Sequence, residues 1–150
     1  IVERLFGTVS GKKVAILGFA FKANTNDTRE SPAIDITKSL LEEGAIVTIH
    51  DPKVEKEKVL KDLESFDEVK LGENNKESTW SFTRDISKAV FDSDAIILIT
   101  EWDEYRNLSW KDLLKETRSP CTVFDTRSII NSDDFKNLNA TLWRIGYGFV

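Results

Sequence analysis

Apolar runs rich in β-branched residues punctuate an otherwise polar chain: KVAILG at 13–18, AIVTIHD at 45–51, AIILIT at 95–100, CTVFD at 121–125 and TLWRIG at 141–146. They are continuous rather than alternating, which is the pattern of strands buried on both faces of a parallel sheet. A weaker run, TWSFT at 79–83, predicts one more strand. The intervening segments carry helix signals. Residues 32–43 open at Ser31-Pro32, an N-cap followed by proline at the first helical position, and stop at Gly44. Asp51-Pro52 repeats the device before KVEKEKVLKDLE, so Asp51 reads as a helix cap rather than a ribose ligand. Residues 84–91 and 110–115 fill the remaining crossovers, and the polar stretch SFDEVKLGENNKES at 65–78 reads as a solvated surface insertion. Strand and helix alternate throughout. This predicts a doubly wound, Rossmann-like α/β fold: a parallel sheet of about six strands in the order 3-2-1-4-5-6, with helices on both faces.

Composition narrows the partners. At 150 residues and 40% hydrophobic the chain can bury one core. A net charge of -5 argues against nucleic acid or an anionic membrane as the main partner, so any anion site must be a local cluster of cations. No apolar run approaches the roughly 20 residues of a membrane span. The single cysteine, Cys121, excludes an intrachain disulfide and a thiolate zinc cage, and points to a reducing, cytoplasmic compartment. It opens an apolar strand with no adjacent base, and reads as a buried small hydrophobe rather than a nucleophile. No metal site is expected. The absence of methionine and the uncapped IVERLF start, with Ile1, Val2, Leu5 and Phe6 at helical spacing, suggest a piece of a longer chain.

In a doubly wound sheet, ligands bind beyond the carboxyl ends of the strands where the strand order reverses. The first loop there, GFAFKANTNDTRES at 18–31, lacks the G-x-G-x-x-G that lets backbone approach phosphate. It offers Lys22 and Arg29 instead, while the loop after the fifth strand offers Arg127. Two arginines and a lysine near a helix start suit a diphosphate through charge-assisted, bidentate bonds. The plainer alternative is a solvated loop in which Asp27 and Glu30 neutralise Arg29. Gly18 reads as a tight turn, His50 as a surface residue, and Trp80, Trp102, Trp110 and Trp143 as packing.

The motifs VAILGFAFKANTNDTRESPA, HDP, ILITEW and FDTRSI, in this order, resemble the C-terminal, nucleotide-sugar-binding domain of the UDP-glucose/GDP-mannose dehydrogenase family, nearest its UDP-glucose branch. The resemblance runs from about residue 5 to 148. It implies that residues 1–12 are the end of an upstream linker helix with its lead-in, and that 13–150 form the UDP-binding domain. It implies contacts from Phe21, Lys22 and Arg127 to the nucleotide sugar and from Arg29 to the NAD pyrophosphate, with Asp27 organising the loop. Family members oxidise a sugar's primary alcohol to a carboxylate in two hydride transfers to NAD, through a cysteine nucleophile in a central region. NAD is then held mainly by a preceding G-x-G-x-x-G domain. Neither region is in these residues, and Cys121 matches no such motif, so the chain alone is expected to be inactive. The full-length protein is expected to be a homodimer or larger. The sequence departs from many relatives in having Thr126 where they have glycine and His50 where they have tyrosine. A relative acting on UDP-N-acetylmannosamine or GDP-mannose, or a non-catalytic nucleotide-binding module, are the alternatives.

Overall fold

The computed structural model describes residues 1–5, 7–71, 73 and 78–150. The elements run β1 (Lys13–Leu17), α1 (Pro32–Glu42), β2 (Ile46–His50), α2 (Lys56–Asp62), β3 (Asp67–Glu68), β4 (Thr79–Thr83) and α3 (Ile86–Val90). They continue with β5 (Ala95–Leu98), α4 (Asp103–Arg106), α5 (Trp110–Leu113), β6 (Cys121–Asp125), β7 (Ala140–Arg144) and β8 (Gly148–Phe149). The sheet order is β3-β4-β2-β1-β5-β6-β7-β8. The six strands legible as apolar runs pair in parallel in the expected 3-2-1-4-5-6 order. Right-handed crossovers that reverse direction at β1 put α1 and α2 on one face and the later helices on the other.

Two strands extend the expected six to eight. β3 adds in parallel to β4, and β8 adds antiparallel to β7, so the sheet is mostly rather than wholly parallel. β3 comes out of the stretch read as a solvated insertion, where its two acidic residues hide it from any hydrophobic pattern. One aromatic anchors it. Trp80 is buried, its indole N–H donates to the Phe66 carbonyl at 3.2 Å, and its own carbonyl accepts from the Val69 N–H at 2.8 Å. Residues 72 and 74–77 of that insertion lie outside the described residues. At the other edge, Gly146 and Gly148 take left-handed backbone (φ +83° and +75°) and turn the chain back on β7.

Burial follows the hydrophobic pattern. β5 is buried at every position, and β1 at all but its first residue, as expected for strands at the centre of the sheet. α1 begins where Ser31 and Pro32 predict: the Ser31 hydroxyl accepts from the Ala33 N–H, and Ala33, Thr37, Leu40 and Leu41 form the buried stripe. α2 differs. It starts at Lys56 with Glu55 at its N-cap, so Asp51 is not its cap. Near the N-terminus, Leu5 N–H donates to the Ile1 carbonyl at 3.0 Å in a single turn, and Phe6 lies outside the described residues.

Candidate functional site

The loops after β1, β2, β5 and β6 leave the same end of the parallel sheet, with the reversal of strand order between β1 and β5. Gly18 is more than a turn. Its φ is +94°, and a Cβ there would stand 2.4 Å from Thr100 Cβ and 2.7 Å from the Thr100 backbone nitrogen. Only glycine lets the two loops cross this closely.

Beyond Gly18, the amides that meet phosphate in a dinucleotide fold are already occupied. Phe19 and Ala20 N–H donate to Asp51 Oδ2 at 2.8 and 3.0 Å. Asp51 Oδ1 accepts from the Lys53 and Val54 N–H groups, folding the turn after β2. Trp102, read as packing, also donates its indole N–H to Asp51 Oδ2 at 3.2 Å. The Thr100 hydroxyl donates to the Ala20 carbonyl at 2.8 Å, so the loop is tied to the ends of both β2 and β5. Asp125 does the same service after β6: it is fully buried and accepts from the Arg127 N–H at 3.0 Å and the Ile130 N–H at 2.8 Å.

His50 is a correction. It is fully buried rather than a surface residue, because the turn after β2 packs it under α4. Its Nδ1 lies 2.8 Å from the Tyr105 hydroxyl and its Nε2 3.2 Å from the Arg84 carbonyl. A carbonyl can only accept, so Nε2 carries the proton and Nδ1 accepts from Tyr105. Burial chiefly holds the imidazole pKa below its usual value, while the Glu104 carboxylate pulls the other way. Burial likewise raises the Tyr105 hydroxyl well above the ordinary phenol.

The predicted cations sit in three different settings. Lys22 is exposed and has no ion-pair or hydrogen-bond partner among the described residues. Arg127 is part-buried: its Nε donates to the Ile99 carbonyl at 2.7 Å and pairs with Glu101 at 3.0 Å. Both of these contacts are made by Nε, not by the terminal nitrogens. Arg29 folds back on Asp27, with Nε 3.0 Å from Oδ1 and Nη2 2.7 Å from Oδ2. Arg29's hydrogen bonds hold the Asp27 carboxyl down to about 2. The Arg29 side chain is 88% exposed, so the pair adds little stability. Phe21, 43% exposed, lines a recess of about 460 Å³ with Asp27, Arg29 and Glu30. That recess brings Phe21 and Arg29 together; Lys22 and Arg127 are not part of its lining.

Residues 15–132 match the model of the UDP-glucose/GDP-mannose dehydrogenase family, UDP binding domain. The chain belongs to this family. It is 40% identical over 97% of its length to UDP-glucose 6-dehydrogenase of Drosophila melanogaster, and 39% identical over 97% to UDP-glucose 6-dehydrogenase 4 of Arabidopsis thaliana. It covers 30% and 32% of those two proteins, so it spans about a third of the curated relatives it matches. Among solved structures, NDP-N-acetyl-D-galactosaminuronic acid dehydrogenase from Methanosarcina mazei Go1 superposes with a TM-score of 0.75 at 25% identity, over 98% of this chain and 27% of that one.

Within this family domain the loop geometry depends on two aspartates that the sequence did not mark as organising residues. Asp51 and Asp125 each end a strand at the ligand-facing edge and spend their carboxylates on backbone N–H groups. The one signal for them was the placement of an aspartate at a strand's carboxyl end, twice. Thr126 ties its hydroxyl to the Leu98 carbonyl at 2.8 Å, holding the Arg127 loop to β5.

Proposed function

We propose that this chain is the substrate-binding domain of an NAD-dependent UDP-glucose 6-dehydrogenase, which converts UDP-glucose to UDP-glucuronate in two successive hydride transfers. In this reading Phe21 packs on the nucleotide sugar, while Lys22 and Arg127 hold its diphosphate. The observation that carries it is the contrast at the strand ends: the phosphate-facing amides of the first loop are closed by Asp51, while Lys22 is exposed and Arg127 is held through its Nε rather than its terminal nitrogens. A diphosphate here would meet side-chain charge rather than backbone.

The same closure bears on NAD. With Phe19 and Ala20 N–H engaged and no second glycine, the loop after β1 does not fit a dinucleotide pyrophosphate. The cofactor therefore belongs to a separate domain of the full-length enzyme, with Arg29 reaching its pyrophosphate after exchanging Asp27 for the ligand. A cytoplasmic location accords with the buried, unpaired Cys121, and the whole enzyme would work as a homodimer or larger assembly.

Lys22→Ala and Arg127→Ala in the full-length enzyme test the site. Each should lower kcat/KM for UDP-glucose by at least about 1.5 kcal/mol, the lower end for hydrogen bonds to charged groups. Thermal stability should be retained by Lys22→Ala, since exposed loop substitutions cost little. Unchanged kinetics in both variants would mean that these loops are merely solvated.

A further inference from the structure

Five N–H groups converge on one buried carboxylate. Asp51 Oδ2 accepts from Phe19, Ala20 and the Trp102 indole, and Oδ1 accepts from Lys53 and Val54, all between 2.8 and 3.2 Å. A carboxylate presents two acceptor oxygens with about four lone-pair sites, so five donors fill it, whereas an amide of the same size would turn one end into a competing donor. The donors come from the loops after β1, β2 and β5, so the three are joined at a single point. The Phe19 and Ala20 amides take up an anion there, as such amides do in dinucleotide folds, but the anion is part of the chain.

We propose that Asp51 is a positioning residue for the nucleotide-sugar site: an internal stand-in for phosphate that fixes the segment immediately before Phe21 and Lys22 and keeps the ligand's diphosphate outside the crevice. The inference rests on the site reading above. Downstream, Phe21 N–H donates to the Asp27 carbonyl at 2.8 Å, so the segment bearing the two contact residues is held from both sides. Ala20 is held on its other face as well, its carbonyl accepting from the hydroxyls of Thr100 at 2.8 Å and Ser31 at 3.4 Å. A loop fixed at its root presents Lys22 at a constant distance from the sheet edge. A loop released there must be ordered by the ligand, and that cost falls on binding.

Asp51→Asn is the sharpest test, because it keeps the shape and reverses the hydrogen bonding at one oxygen. Whichever way the amide turns, its NH₂ faces backbone N–H donors. In the full-length enzyme, KM for UDP-glucose should rise about tenfold or more, with KM for NAD and kcat at saturating sugar within about twofold of wild type. A purely structural role would reduce the folded fraction, and thus apparent kcat, without moving KM. Thr100→Val, which removes only the hydroxyl bonded to Ala20, should shift KM in the same direction by less, and decides the matter if Asp51→Asn does not fold. KM unmoved in these variants while Lys22→Ala raises it overturns the positioning role alone. KM unmoved in Lys22→Ala and Arg127→Ala as well overturns the site reading beneath it.

Discussion

Gly18 shows how much a single residue can carry at the crossing of two loops. A methyl group there meets the Thr100 backbone nitrogen at 2.7 Å, on a backbone already at φ +94°. The left-handed backbone alone costs a non-glycine residue about 1–3 kcal/mol, and the contact adds to it because a central strand end cannot retreat. Gly18→Ala should therefore lower stability by at least about 2 kcal/mol, read as a lower urea midpoint at unchanged slope. A midpoint equal to wild type would show that the loops are free to separate. In the sequence Gly18 was legible as a turn because the turn is local. Its contact with Thr100, and the grip of Asp51 on Phe19 and Ala20, join positions far apart in the chain, and no spacing rule reports them. Asp51 next to Pro52 looked like a helix cap for the same reason: it does bond the N–H groups of Lys53 and Val54, but its second oxygen is used elsewhere.

Between elements, the joint of β2, α4 and the loop after β4 is made by His50, Tyr105 and Arg84. The His50 ring accepts from Tyr105 and donates to the Arg84 carbonyl, while the Arg84 guanidinium donates to the Asp51 and Val54 carbonyls at 3.2 and 2.9 Å. Because burial depresses the folded-state pKa of His50, the unfolded chain binds a proton that the folded chain refuses once pH falls below the ordinary value of 6.5. Stability from this group is thus full above that pH and declines as pH drops toward the depressed value. Glu104, the hydrogen bond to the Arg84 carbonyl and Asp51 oppose the shift, and the Arg84 charge reinforces it, with burial the largest influence. Melting curves from about pH 7.5 to 5.5 should show a falling Tm that flattens in His50→Gln, which cannot titrate. Parallel slopes would place the acid sensitivity elsewhere. The elements themselves were readable where apolar runs were long, which gave the six parallel strands and their order. β3 and β8 were missed because two-residue strands have no period, and their pairing comes from Trp80 and from the Gly146–Gly148 turn.

Across the whole molecule, the proposed contact residues and the cysteine stand at opposite ends of the sheet. Lys22, Arg29 and Arg127 follow strand carboxyl ends, whereas Cys121 opens β6 at the other end. The thiol is buried, and burial pushes it up to about 12, so almost no thiolate exists at neutral pH. At the order reversal, the Phe19 and Ala20 amides are taken up by Asp51. The 150-residue chain should therefore bind UDP-glucose weakly and reduce no NAD. Binding should persist in part because Phe21, Lys22 and Arg127 all lie within it, and should be weak because cations open to solvent at the strand ends are screened by salt. Calorimetric titration with UDP-glucose measures the first, and NADH absorbance in a mixture of chain, UDP-glucose and NAD measures the second. Heat of binding that vanishes in Lys22→Ala would tie the affinity to the proposed site. NADH formation abolished by Cys121→Ser would make that cysteine the nucleophile that its burial argues against, and formation that survives the substitution would put the chemistry on residues not considered for it.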